Sequence, residues 1–141
     1  MRNMGDEERR AFLLEGTRTG KLGVIRRDGS PYVLPVWFLL DGDDVIFTTG
    51  GETVRGRALR RDPRASMCVD EERPPYGFVR IDGHALLSED LEEMRGWARL
   101  LGARYMGEEV ADRFADRNAV PGELLVRLVP RRIVAQADIA G

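Results

Sequence analysis

The residues best suited to chemistry crowd into Phe47–Arg64, where a strand end runs through Gly50-Gly51 into a helix start. Thr49 and Thr53 carry hydroxyls beside that start, and Arg55 and Arg57 follow Thr53 by two and four residues. Thr53 is suited to cap a short helix containing Val54, Ala58 and Leu59, which must end before Pro63. The first N–H groups of a helix have no partner within it and carry partial positive charge, so such a terminus receives phosphate readily. An arginine fork matches phosphate oxygens in pairs. The plainer alternative, a capped surface helix with solvated arginines, fits the composition equally well.

Other residues invite weaker readings. Trp37, with Pro35 and Val36, could wall a flat ring, although alone it reads as core or dimer interface. Tyr76 and Phe78 follow the Pro74-Pro75 loop and could stack on a ligand or pack a barrel end. His84, the single histidine, sits in a strand with no carboxylate or nucleophile fixed beside it, and reads as a satisfied strand residue. Cys68 has no CxxC partner and reads as packed in its strand. Glu92-Glu93 and Glu108-Glu109 are adjacent on helices, so their carboxylates diverge and form solvated faces.

Composition narrows the class. The chain has 141 residues, 43% hydrophobic and 33% charged, one domain's worth of ordinary globular sequence spanning 1–141. Its 22 basic and 24 acidic residues leave a net charge of -2. That balance, and the carboxylates flanking Arg55, Arg57, Arg60, Arg61 and Arg64, speak against nucleic-acid binding. Arg60, Arg61 and Arg64 read instead as partners of nearby carboxylates. No apolar run is long enough to span a bilayer, and Met1–Arg10 does not resemble a targeting segment. One cysteine and one histidine allow no intrachain disulfide and nearly exclude a protein zinc site. A reducing compartment, most simply the cytoplasm, is expected.

The elements that must hold these residues read as follows. Asp6 is placed to cap a helix over Glu7–Glu15, stopped by Gly16. Strands are expected over Lys21–Arg27, Tyr32–Leu40 and Asp44–Thr49, joined by turns at Asp28-Gly29 and Asp41-Gly42-Asp43. The Tyr32–Leu40 strand is apolar on both faces, so one face fills a barrel interior and the other needs a helix, a second subunit or a flat ligand. Pro35 requires a bulge or an edge there. Further strands are expected over Ala65–Val69, Phe78–Leu87 and Leu124–Ala137, the last broken at Pro130. Ser88 opens a helical region in which Leu91, Met94, Trp97, Leu101 and Tyr105 form an apolar stripe, interrupted near Gly107 and resumed by Val110 and Phe114. Six short strands without regular strand–helix alternation favour a small antiparallel barrel, mainly β with helical decoration.

In order along the chain, these segments resemble the pyridoxamine 5'-phosphate oxidase-like, flavin-binding split-barrel superfamily, and within it the flavin/deazaflavin oxidoreductases of actinobacteria. The resemblance rests on Gly20-Lys21-Leu22-Gly23-Val24, Asp28-Gly29-Ser30-Pro31, Leu34-Pro35-Val36-Trp37-Phe38 and Asp41-Gly42-Asp43. It continues through Thr53-Val54-Arg55-Gly56-Arg57-Ala58-Leu59-Arg60-Arg61-Asp62-Pro63-Arg64 and Pro75-Tyr76-Gly77-Phe78-Val79-Arg80-Ile81-Asp82-Gly83. It implies an α+β fold, a six-stranded antiparallel split β-barrel decorated with helices, paired as a homodimer with the cofactor at the interface. It implies that Val33, Leu34, Pro35, Val36 and Trp37 line a tricyclic ring. Thr48, Thr49, Thr53, Arg55 and Arg57 would hold the ribityl chain and phosphate, and Tyr76 and Phe78 would come from the other subunit. The cofactor implied is coenzyme F420, with FMN as the alternative. The activity implied is hydride transfer from the reduced deazaflavin to an unsaturated or quinone-like small molecule. An FMN oxidoreductase, or a flavin-, deazaflavin- or haem-type binding protein without turnover, are the other readings. Val54 stands where flavin mononucleotide oxidases often have a basic residue, and Ala58 where an asparagine is common. Val134–Gly141 lacks the late tryptophan and arginine of the pyridoxamine phosphate oxidases, which argues against pyridoxal phosphate synthesis.

Overall fold

A computed structural model describes all of residues 1–141. In chain order its elements are β1 (Arg2–Asn3), α1 (Asp6–Leu14), β2 (Gly20–Ile25), β3 (Pro31–Val36), β4 (Leu39–Asp41) and β5 (Asp44–Gly50). There follow α2 (Val54–Arg61), β6 (Arg64–Glu71), β7 (Gly77–Ser88), α3 (Leu91–Met106), a 3-10 turn (Glu108–Val110), α4 (Ala111–Asn118) and β8 (Glu123–Ala137). The strands form one antiparallel sheet in the order β3-β2-β6-β7-β8-β5-β4, with β1 added to β8. The architecture is α+β, as the sequence pattern indicates. All six expected strand runs are present. The sheet counts eight strands because the Tyr32–Leu40 run breaks in two and Arg2–Asn3 pairs with β8.

Both early turns form where the glycines permit them. Gly29 and Gly42 have φ of 86° and 62°, a region that side chains with a Cβ rarely enter. Asp28 braces its turn by accepting the Ser30 N–H at 3.0 Å. The first helix departs from expectation: Gly5, not Asp6, holds the cap position and offers no side-chain cap. Asp6 instead pairs with Arg9 at 2.9 Å, and Arg9 reaches on to Asp43 at 2.9 Å, fastening α1 to the β4–β5 turn. The α3 cap is Asp90, whose carboxylate accepts from Glu92 and Glu93, while Ser88 ends β7. Pro130 does not end β8. Gly83 pairs with Pro130 and Asp82 with Arg132, so Arg131 is the extra residue of a bulge that absorbs the proline.

The barrel interior holds Leu22, Phe38, Phe47, Met67, Ile81 and Val126 among its buried apolar side chains. A smaller core of Ile46, Met94 and Leu125 joins α3 to the outside of β5 and β8. The two edges of the sheet, β3 and β4, are consecutive in the chain and joined only through Trp37-Phe38. At this corner the expected single strand fails. Trp37 leaves the ladder to stack on Tyr105, with ring centroids 5.0 Å apart and planes at 3°. Phe38 is fully buried, and helix α3 replaces its lost ladder bonds. The Phe38 N–H donates to the Tyr105 hydroxyl at 3.1 Å, and that hydroxyl donates to the Arg18 carbonyl at 2.7 Å. The Arg104 guanidinium donates to the carbonyls of Phe38 at 2.6 Å, Leu13 at 2.8 Å and Gly16 at 3.0 Å. Buried backbone groups need such partners.

Tyr105→Phe keeps the ring stack and removes the hydroxyl. It is expected to cost about 1–3 kcal/mol in urea unfolding, because the Phe38 N–H is left buried and unpaired. A loss under about 0.5 kcal/mol, half the ordinary net worth of one hydrogen bond, would detach the hydroxyl from the corner's stability. No helix is long and apolar enough to cross a membrane.

Candidate functional site

Helix α2 packs against β2 and β5 and starts where β5 ends. Its docking depends on one missing side chain: a Cβ on Gly56 would stand 2.1 Å from the Gly50 carbonyl oxygen. The Thr53 hydroxyl accepts from the Gly56 N–H at 3.0 Å and donates to the Gly50 carbonyl at 2.8 Å. Thr53 therefore caps the helix as expected, and its hydroxyl is committed to that task. The N–H groups of Val54 and Arg55, in the first turn, have no acceptor within the helix.

Arg55 is half-buried. Its Nε donates to the Thr49 hydroxyl at 2.9 Å, which fixes the direction of the guanidinium, and its terminal nitrogens make no hydrogen bond or ion pair in the chain. Thr49 is itself buried, on the barrel side of β5. Burial pulls the Arg55 pKa down, while Tyr32 and Glu123 favour its charged form. Glu123, the first residue of β8, pairs in register with Gly50. Burial pushes its carboxyl pKa up, and Arg55 only partly opposes this. A guanidinium anchored at one nitrogen and open at the others, beside free helix N–H groups, is a donor set for an oxyanion. The residues present thus fit the phosphate of a nucleotide-like cofactor.

Strand β3 supplies the adjoining apolar surface. It is an edge strand, and Pro35, which has no N–H to give, lies in it. Val33 is 60% exposed and Leu34 36%, and Pro35 is exposed too. Val33 and Pro35 share the outer face with Gly23 and Lys21 across β2, while Leu34 stands opposite Leu22 on the inner face. Val36 is buried.

The remaining candidates lie apart from Arg55 within the chain. Thr48 points opposite to Thr49, on the face of β5 shared with Ile46 and covered by α3. Arg57 is exposed and paired with Glu52 at 2.9 Å. It lines a shallow cleft with Arg26, Arg27, Asp28, Val54 and Arg61. Trp37 is taken up by Tyr105 and Phe114. Phe78 pairs with Gln136, twelve residues along β8 from the Leu124 that faces Thr49, which is up to roughly 40 Å of strand. Tyr76 precedes it with φ of 66°, tied by its N–H to Arg73 and by its carbonyl to Ile139. Within the chain Tyr76 and Phe78 stand toward the opposite end of β8 from Arg55. His84 is satisfied in its strand, 2.9 Å from Arg131. Arg60 pairs with Glu89 and Arg64 with Asp62, which the flanking charges anticipate, but Arg61, expected to do the same, makes no ion pair.

Two contributors escape a reading of the sequence. Glu123 is a lone acid opening an apolar strand just after Pro121-Gly122, and that isolation is the one available signal. Gly56 reads as an ordinary glycine in a weak helix, because its necessity lies in a contact made only in the fold.

The sequence profile described as Pyridoxamine 5'-phosphate oxidase matches residues 6–137. No curated protein matches the chain. Among solved structures, a conserved hypothetical protein of Mycobacterium tuberculosis superposes with a TM-score of 0.84 at 24% identity, over 96% of this chain and 86% of that one. An F420 reductase superposes with a TM-score of 0.69 at 25% identity, over 87% and 94%. The haem storage protein HutZ of Vibrio cholerae has a TM-score of 0.74 at 20% identity, over the full length of both chains. At 24% and 20% identity the first and third establish shared fold alone.

Proposed function

The chain belongs to the pyridoxamine 5'-phosphate oxidase family, and from that premise we propose that it is an F420-dependent reductase acting as a homodimer in the cytoplasm. The observation that carries the reading is Arg55: half-buried, steered by Thr49, without a carboxylate partner, at the head of α2 and beside the bare apolar edge of β3. Its acceptor is an unsaturated or quinone-like small molecule. The kinship to an F420 reductase supports the cofactor assignment.

In this reading Arg55 and the open N–H groups of Val54 and Arg55 bind the cofactor's phosphate. Thr49 holds the guanidinium in place, and Thr53 and Gly56 hold the helix. Val33, Leu34, Pro35 and Val36 give the ring a dry surface and backbone contacts, with Trp37 fixing the end of that strand. Arg57 stands further out, along the polar tail, while Thr48, turned under α3, backs the strand behind Thr49. Tyr76 and Phe78 come from the second subunit and close the groove against water. When bound, the reduced deazaflavin supplies a hydride, which explains why the chain shows no acid–base pair of its own. The protein contributes orientation, exclusion of water and fixed positive charge.

Arg55→Ala is expected to weaken F420 binding by about 1.5–3 kcal/mol, the range for a charge-assisted contact, or roughly tenfold to more than a hundredfold. Quenching of deazaflavin fluorescence on titration measures it. Unchanged affinity would remove Arg55 from the site. A purified protein that is yellow and holds FMN tightly, indifferent to F420, would replace the cofactor assignment.

A further inference from the structure

We propose that Glu123 sets the charge accepted at Arg55, favouring a phosphodiester with one negative charge over a phosphomonoester with two. The inference rests on the cofactor reading above and deepens it.

Glu123 flanks the same spot as the anion donors. Its Oε1 lies 3.6 Å from the point where a Cβ on Gly50 would stand, and the Thr53 methyl lies 3.0 Å from that point. Gly50 is therefore bracketed by the carboxylate on one side and the head of α2 on the other. The Glu123 carboxylate makes no hydrogen bond or ion pair, whereas the charges around it are matched. On α2, Arg60 is taken by Glu89, and Arg57 is taken by Glu52 of the preceding loop. Strand β3 contributes the Tyr32 phenol, near Arg55, and the end of β5 contributes only Thr48, Thr49 and Gly50. Arg61, at the other end of α2, also lacks an ion-pair partner; at the head of the helix the unpaired charges are Arg55 and Glu123.

An anion seated on the Arg55 fork lies close to Glu123 and is repelled by it in proportion to its own charge. In a half-buried setting, each negative charge on the anion weakens binding by about tenfold after screening. A phosphomonoester gains its second charge near pH 6, whereas a phosphodiester keeps one charge throughout. FMN ends in a phosphomonoester, and the single phosphate of coenzyme F420 is a phosphodiester, so Glu123 disfavours FMN the more by charge. Burial displaces the Glu123 pKa upward, and Arg55 partly opposes the displacement.

The test is calorimetric titration of the full chain and of Glu123→Gln with FMN and with F420, between about pH 5.5 and pH 8, a span that brackets the second phosphate ionisation. Arg55 attracts the second FMN charge while Glu123 repels it, so the two proteins are compared: across this range the ratio of the FMN to the F420 dissociation constant is expected to rise about tenfold more in the unaltered protein than in Glu123→Gln. In Glu123→Gln at the upper pH, FMN binding is expected to tighten about a hundredfold and F420 binding about tenfold. A ratio of the two affinities that Glu123→Gln leaves unchanged at the upper pH would overturn the assignment. Should Glu123→Gln fail to fold, Glu123→Ser carries the same comparison. If neither ligand binds the unaltered protein, the cofactor reading itself fails. If both bind and respond to Arg55→Ala but the ratio is fixed, only Glu123 is dismissed.

Discussion

Arg104→Met is expected to lower the free energy of unfolding by about 3–5 kcal/mol, a large share of the roughly 5–15 kcal/mol that holds a domain of this size together. The guanidinium serves three backbone carbonyls at once, from the α1 end at Leu13, the following turn at Gly16 and the sheet corner at Phe38. Each is a charge-assisted bond, and the residues at two of the three, Leu13 and Phe38, are almost wholly buried. Burial lowers the Arg104 pKa, but an arginine keeps its charge across the accessible range. The guanidinium also lies over the Phe38 and Tyr105 rings, 4.8 Å from each centroid, so methionine keeps an apolar stem and the loss measures the donors together with these cation–π contacts. Urea unfolding monitored by circular dichroism gives the number. A loss below about 1 kcal/mol, less than a single such bond is worth, would show that water reaches these carbonyls and that the guanidinium is dispensable there.

Gly56→Ala is the second large effect. One added methyl would meet the Gly50 carbonyl at 2.1 Å, and both groups belong to backbone that cannot rotate away. Either α2 lifts from β5 or the Gly50-Gly51 turn shifts. Overpacking of this kind costs about 1–3 kcal/mol or more. Lifting the helix also strips cover from Ala58 and Leu59, both buried beneath it, and moves the head of the helix that carries Arg55. A fall in thermal stability and a fall in cofactor affinity are therefore expected together. Gly96→Ala in α3 is the matched control. A Cβ there meets nothing within 4 Å, and the change is expected to stabilise by about 0.5–1 kcal/mol through helix propensity alone. Equal melting temperatures for the two variants would refute the close approach at Gly56.

How much of this was legible in advance follows the range of the interactions involved. The turns at Asp28-Gly29 and Asp41-Gly42, the Thr53 cap and the break at Gly107 are set by residues a few positions apart, so sequence pattern finds them. The edge position of Pro35 follows from its missing N–H. The corner at Trp37-Phe38 follows from nothing local. Its alternating apolar run fits a continuous strand, and what breaks it is a pair of side chains more than sixty residues later, the Arg104 guanidinium that donates to the Phe38 carbonyl and the Tyr105 hydroxyl that accepts the Phe38 N–H. Of the candidate site, Thr49, Thr53 and Arg55 come together through a single strand–helix junction. Thr48 and Trp37 follow packing that the sequence does not display. Glu123 reaches the same junction from the other end of the chain, through its pairing with Gly50. A side chain placed by strand register carries no sign of its neighbours in its own sequence window.

The position of β8 in the sheet has a consequence for how the chain is assembled during synthesis. It lies between β7 and β5, so before it emerges from the ribosome the strands form two separate pieces, β3-β2-β6-β7 and β5-β4. Neither piece can close on the other, and the apolar inner faces of both remain wet until the final fifteen-residue strand zips between them. Closure of the sheet therefore waits on β8 and is dominated by long-range pairing, a regime of slow folding in milliseconds to seconds with exposed strand edges along the way. A nascent chain stalled before Glu123 would be a substrate for chaperones rather than a partly working protein.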